Sequence, residues 1–221
     1  MKSNFLLFIL CIFFIPVMGQ DKKLYETDTY FQRMAYFKDH PLEKGQIVFL
    51  GNSLTQGGKW NDYFPDKNVA NRGISGDNTD GMLSRLDEII ESEPEKLFFL
   101  GGINDVSQNA DNKAILHNIK TVIERVKAGS PNTIIFVQSP LPVNNSFGRY
   151  HRLINKEGQI EKLVKEIAKL CRKEDVRFID LYPSFLIEKR LLNPDFTTDG
   201  LHLNEKGYTV WVSVIRPFVE E

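Results

Sequence analysis

Five short apolar runs, alternating with amphipathic stretches, predict an α/β fold: a three-layer α/β/α, flavodoxin-like, doubly wound architecture around a mostly parallel five-stranded sheet. The runs are Gln46–Leu50, Asn68–Ala70, Lys96–Leu100, Thr133–Gln138 and Val176–Asp180. They are continuous rather than alternating, as expected of strands buried on both faces. Helical periodicity fills the gaps at Thr79–Glu91, Ala110–Lys127 and Lys156–Lys173, and again from Glu205 to Phe218. Polar, glycine-bearing turns follow the first three runs: Gly51-Asn52-Ser53, Asn71-Arg72-Gly73 and Gly101-Gly102-Ile103-Asn104. In doubly wound sheets ligands bind beyond the carboxyl ends of the strands, so these turns are predicted to converge on one edge.

Residues 1–19 read differently from the rest. Lys2 precedes an apolar run from Phe5 to Met18, which ends at Val17-Met18-Gly19 before a polar stretch. Those are the parts of a signal peptide, and the run is short of the roughly 20 residues of a membrane span. An uncleaved N-terminal anchor is the alternative. The expectation is a signal peptide over 1–19, a secreted or periplasmic mature chain, and one domain over 20–221. A helix at Thr29–Lys38 is predicted to pack on the outside of that domain, ending before His40-Pro41. Cleavage would leave Cys171 without a disulfide partner, and its place in a helical pattern suits a small buried hydrophobe.

The chain has 221 residues, 42% of them hydrophobic, and a formal net charge of −1. That balance offers no electrostatic footprint for nucleic acid or a membrane surface. No cluster has metal-ligand spacing, and neither a phosphate-binding loop with its lysine nor a dinucleotide fingerprint follows the first strand. No cofactor is therefore expected. The serine turn is not Gly-x-Ser-x-Gly, which disfavours an α/β-hydrolase.

Ser53 stands directly after the first apolar run, where a following helix would aim its amides at the hydroxyl. Such a position suits a nucleophile, and it equally suits a helix N-cap. A serine nucleophile needs a base with an orienting acid. His40, His117 and His151 fall in a loop, a helical pattern and a polar loop respectively. His202 instead lies in Thr198-Asp199-Gly200-Leu201-His202, where Asp199 can reach back to Nδ1 and leave Nε2 for a serine proton. Capping of the last helix is the other role open to Asp199 and His202.

Gly51-Asn52-Ser53-Leu54, Asn71-Arg72-Gly73, Gly102-Ile103-Asn104-Asp105 and Asp199-Gly200-Leu201-His202 together resemble, in order, the four blocks of the SGNH (GDSL-type) hydrolase superfamily. The run Asn71–Asp77 is similar to its platelet-activating-factor acetylhydrolase-like and sialate O-acetylesterase-like branches. The resemblance spans about residues 46–218. It implies Ser53 as nucleophile, His202 as base and Asp199 as the orienting acid. It also implies an oxyanion hole made of the Ser53 and Gly73 amides and the Asn104 side chain. Gly73 would leave the substrate's approach open, and Asn104 would supply an uncharged donor. Asn52 departs from the aspartate that names the GDSL block, a change outside the implied triad. Asp77 and Asp105 precede helical stretches and are read as helix caps, and Asp180 as a turn or cap residue.

The loop from Ser139 to Asn155 is polar, with Asn144, Asn145, Arg149, Tyr150 and His151. It suits binding of a sugar beyond the carboxyl edge, and a solvated loop with no such role would look the same. The reading is a secreted serine esterase acting on a small-molecule or glycan ester, favouring O-deacetylation of a glycan or sialic acid. A lysophospholipase or acyl-thioesterase of the same fold, and a catalytically idle carbohydrate-binding module, are the alternatives.

Overall fold

The computed structural model describes residues 23–221, so the predicted signal segment lies outside the described residues. Five parallel strands, β1 (Ile47–Gly51), β2 (Val69–Gly73), β3 (Lys96–Leu100), β4 (Ile134–Gln138) and β5 (Arg177–Ile179), form one sheet in the order β2-β1-β3-β4-β5. The predicted α/β class and parallel sheet are what the structure shows. The second strand runs beyond its apolar stretch to Gly73, in register with Gly51 of β1.

Helices α1 (Asp28–Asp39), α2 (Ser53–Gly57), α3 (Trp60–Tyr63), α4 (Thr79–Ser84) and α5 (Asp87–Glu91) precede β3. After it come α6 (Ile103–Ser107), α7 (Asn112–Gly129), α8 (Glu157–Lys173), α9 (Tyr182–Phe185) and α10 (Glu205–Glu220). The helix expected over Thr79–Glu91 is broken in two. Arg85 leaves helical geometry at the end of α4, and its guanidinium is drawn inward to Asp77 and to the carbonyl of Gly51.

Strand alternation sorts the core into two layers. Phe49, Phe98 and Phe136 are register partners on β1, β3 and β4, and their rings stack across one face at centroid distances of 5.0 and 4.6 Å. Trp60 lies flat on Phe49 at 4.2 Å, and Trp211 of α10 closes over Trp60 edge-on. The opposite face presents Val48, Leu50, Leu97, Phe99, Ile135 and Val137 to the apolar stripes of α7 and α8. Continuous apolar strands were predicted for this reason: every position meets a helix on one side or the other.

Cys171 is buried in α8, where burial pushes its thiol up to about 12, so it packs as a small hydrophobe. Fully buried Lys96 donates to the carbonyls of Val219 (3.1 Å) and Glu221 (3.0 Å), fastening the end of α10 to the start of β3. The external helix α1 docks through buried Phe37, whose ring lies 4.7 Å from the Arg33 guanidinium and 4.5 Å from that of Arg72.

Two glycines are required by contact rather than by backbone angle. A Cβ on Gly51 would meet the carbonyl of Leu100 at 2.8 Å, and one on Gly73 would meet Gln56 N at 2.1 Å and Thr55 C at 2.7 Å. Gly73 therefore lets α2 lie against β2; the sequence suggested that it opened the substrate's approach. Since backbone blocks that Cβ, Gly73→Ala should cost about 1–3 kcal/mol of stability, as overpacking does. Urea unfolding measures this, and an unchanged midpoint would contradict the close approach of α2.

Candidate active site

The strand order reverses at β1, because the chain leaves it for β2 on one side and returns to β3 on the other. This is the topological switch point at which open α/β sheets bind ligands. Ser53 follows β1, Asn104 follows β3, and Gly73 ends β2.

At the nucleophile turn the cap is Asn52, not Ser53. The Asn52 side chain accepts from Leu54 N at 3.0 Å, and Ser53 becomes the first residue of α2. That frees the Ser53 hydroxyl, which lies 2.9 Å from His202 Nε2. It also makes the Ser53 amide the first of a helix, without an intrahelical acceptor.

His202 Nδ1 lies 2.8 Å from Asp199 Oδ2, which fixes the tautomer with Nδ1 as donor and Nε2 as acceptor. Asp199 Oδ1 accepts from the amides of Leu201 (3.0 Å) and His202 (2.7 Å). Gly200, directly after Asp199, takes a positive φ of 89°, and its amide donates to Thr197 Oγ1 at 2.9 Å. The spacing of three residues is thus a hydrogen-bonded turn, rather than a cap of α10, whose cap is Asn204.

A fourth donor to Asp199 was not foreseen. The Tyr150 hydroxyl donates to Asp199 Oδ2 at 2.7 Å and lies 2.9 Å from His202 Nδ1. Its ring stands edge-on to the imidazole at 5.8 Å. Burial, then the hydrogen bond to Asp199 and that carboxylate's charge, pushes the phenol up to about 12, so it remains a donor. Burial alone would raise the Asp199 carboxyl. The hydrogen bonds from His202, Tyr150 and Leu201 outweigh it and hold the group down at about 2. Tyr150 is 49 residues from Asp199 in sequence, and no spacing signal marks it. Its only hint was membership of the loop after the fourth strand.

The expected oxyanion donors differ in readiness. Asn104 Nδ2 donates one hydrogen to the carbonyl of Asp77 at 2.8 Å, which fixes the amide plane and leaves its second hydrogen free. The Gly73 amide donates to Asn71 Oδ1 at 2.9 Å, so it is already engaged. Asn71 in turn donates to the carbonyls of Thr55, Gln56 and Gly58, which pins the end of α2.

Neither extra aspartate caps the helix that follows it. The Asp77 carboxylate forms a fully buried pair with Arg85 (2.8 and 2.9 Å), while Asn78 caps α4. Burial pushes the Asp77 carboxyl up to about 6 against the pull of Arg85. Asp105 accepts from the Thr79 amide and hydroxyl, so it braces the start of α4 from α6. Asp180 accepts from Tyr182 N at 3.2 Å, a turn role as expected. His40 stacks on Tyr36 at the end of α1, and His117 is exposed on α7.

The relay opens on a cavity of about 580 Å³, lined among others by Ser75, Asn104, Ser107, Tyr150, Leu153 and Leu201. Among the described residues, no group of three or more His, Cys, Asp or Glu side chains is placed to hold a metal ion, and no helix is long and apolar enough to cross a membrane.

A model of the GDSL-like Lipase/Acylhydrolase family matches residues 49–210, which include Ser53, Gly73, Asn104, Asp199 and His202. The chain belongs to this family. It is 27% identical over 180 residues to the platelet-activating factor acetylhydrolase IB subunit alpha1 of Rattus norvegicus, covering 79% of this chain and 75% of that one. It is 28% identical over 182 residues to an N-acylneuraminate cytidylyltransferase of Escherichia coli O18:K1:H7, but over only 40% of that longer protein. A putative platelet activating factor structure from Streptococcus pneumonia superposes with a TM-score of 0.77 at 25% identity, covering 86% of this chain and 91% of that one.

With its carboxyl held at about 2, Asp199 stays ionised throughout the ordinary pH range, so its own titration should leave no inflection in kcat/KM for ester hydrolysis there. Tyr150→Phe removes one of the four donors that fix the direction of the Asp199 carboxylate. The variant should lower kcat for ester hydrolysis about 3- to 10-fold with KM little changed, the scale of one hydrogen bond. An unchanged kcat would show that Tyr150 only packs.

Proposed function

We propose that this chain is a secreted serine esterase that removes short acyl groups, foremost acetyl, from hydroxyls of a saccharide. The carrying observation is the unbroken chain from Ser53 Oγ to His202 (2.9 Å) and from His202 to Asp199 (2.8 Å), opening on the cavity. In this reading Ser53 Oγ attacks the ester carbonyl as His202 Nε2 takes its proton. Charge developing on the carbonyl oxygen is met by the Ser53 amide and the free hydrogen of Asn104. Gly73 takes part only by sharing its hydrogen between Asn71 and the oxyanion. Collapse of the tetrahedral adduct expels the alcohol, which receives the proton from His202. Water, deprotonated by His202, then hydrolyses the acyl-Ser53 and regenerates the hydroxyl.

Substrate preference rests on other grounds. A cavity of this size suits a sugar unit with a small acyl group, and Ser75, Ser107 and Asn104 offer it polar contacts. The relative named an acetylhydrolase supports acetate, and the one named for N-acylneuraminate supports a sugar. Secretion rests on the charged, apolar and small-residue pattern of residues 2–19. An idle binding module would have no use for an ordered relay of three side chains.

Hydrolysis of p-nitrophenyl acetate, butyrate and octanoate tests the reading. Acetate should be favoured, and Ser53→Ala should lose at least about 10³-fold in kcat together with labelling by a fluorophosphonate. Asn104→Ala should lose about 10²–10³-fold in kcat with little change in KM, as removal of an oxyanion donor does. No hydrolysis and no labelling of the wild type would sink the proposal, and a preference for octanoate would move it to the lipid or thioester alternative.

A further inference from the structure

The segment between β4 and α8 supplies Tyr150 to the relay, and its remaining side chains divide into two groups. One group is structural. Asn144 is buried; its side chain donates to the carbonyl of Leu192 (2.9 Å) and accepts from Ser146 N (3.1 Å) and Oγ (2.6 Å). Its backbone amide donates to the carbonyl of Gly200 (2.8 Å), which ties the loop to the Asp199–His202 turn. Asn145 Nδ2 donates to the carbonyl of Leu153 (3.0 Å) and to Glu157 (2.6 Å). These two asparagines, which the sequence offered as sugar contacts, instead hold the loop in shape without any ligand.

The second group faces the cavity. Arg149, His151 and Arg152 line it alongside Ser53 and His202. Arg72, Arg85, Arg125, Arg177, Arg190 and Arg216 each pair with a carboxylate, whereas Arg33 and Arg172, both away from the cavity, pair with none among the described residues. Among the described residues no carboxylate lies within the 4.0 Å of an ion pair from Arg149 or Arg152. No aspartate or glutamate lines the cavity. Asp199 lies behind the imidazole with both oxygens engaged, and Glu157 is held by Asn145. Two exposed arginines therefore line the cavity beside Ser53 with no carboxylate paired to them, in a protein whose charges otherwise nearly balance. The charge of Arg149 is felt as far in as the Tyr150 hydroxyl.

Their place along the sheet edge says which part of a substrate they meet. Ser75 follows β2, Ser53 β1, Asn104 β3 and the arginine loop β4, in the spatial order of the strands. A carbonyl held between the Ser53 amide and Asn104 leaves the rest of the ester beside the β4 loop. We propose that Arg149 and Arg152 form an anion subsite that selects acyl esters of acidic sugars, binding the sugar's carboxylate while the acyl group sits at Ser53. The guanidinium fork matches a carboxylate in two-point contact, and a braced loop presents it with little ordering cost. This proposal rests on the esterase reading and adds the charge of the alcohol moiety to it.

The test compares kcat/KM for O-acetyl glucuronate, O-acetyl glucose, a lysophospholipid and p-nitrophenyl acetate in the wild type and in Arg149→Gln/Arg152→Gln. The wild type should favour the acid over the neutral sugar. The double variant should cut that ratio about 10- to 100-fold, through KM, the scale of lost hydrogen bonds to a charged group. Added salt should lower the ratio in the wild type as well. Equal rates on the two sugars, or a ratio that the double variant leaves alone, would overturn the subsite. A lysophospholipid preferred to the acid would overturn the sugar assignment. Absence of p-nitrophenyl acetate hydrolysis by the wild type would end the esterase reading and this proposal together, a result distinct from lost discrimination alone.

Discussion

Three parallel strands that end at one level are the constraint on which the rest of the molecule depends. Gly51 is in register with both Gly73 and Leu100, so the turns after β1, β2 and β3 start from the same edge. Because the order reverses at β1, those turns diverge and leave a crevice between them. A shift of two residues in any one pairing would carry Ser53 or Asn104 roughly 6–7 Å along the strand axis, out of hydrogen-bond reach. The stacked Phe49, Phe98 and Phe136 and the contact glycines Gly51 and Gly73 hold that register from within.

Behind this edge lies a second layer of polar contacts. Arg85, fully buried, joins the carbonyl at the end of β1 to Asp77, and the carbonyl of Asp77 orients the amide of Asn104. A buried ion pair is a poor source of net stability, but here it links the nucleophile turn to the candidate oxyanion donor. Asp199 is treated in the same way. Four donors from the His202 turn and from Tyr150 saturate it, so its charge is fixed and its direction set. The geometry around Ser53 is thus set in advance by hydrogen bonds among the groups behind it.

Much of this was legible in the sequence where it depended on local pattern. The strands show as apolar runs because each is covered on both faces, and Asp199 and His202 lie close enough in sequence for one turn to join them. The break between α4 and α5 was not legible, because periodicity continues through Arg85 while its guanidinium answers to Asp77 and Gly51. Nor was Asn52 seen as the cap. Asparagine and serine both cap well, and only the position of His202 decides which of them is left free. Asp77 and Asp105 read as local caps for the same reason, although their partners lie elsewhere in the fold.

The sequence by itself determined the fold class, the parallel sheet and the four polar blocks that meet at its edge, since these follow from burial pattern and from turn residues adjacent in the chain. Tertiary structure alone decided that Ser53 starts a helix instead of capping it, that the Gly73 amide is engaged by Asn71, and that Asn144 and Asn145 brace a loop instead of meeting a ligand. It alone brought Tyr150 to Asp199 and placed Arg149 and Arg152 in the lining of the cavity. The reason is one of range. A hydrogen bond formed across 49 residues leaves no periodicity behind it, and an arginine's counter-charge is a property of space rather than of neighbours in the chain.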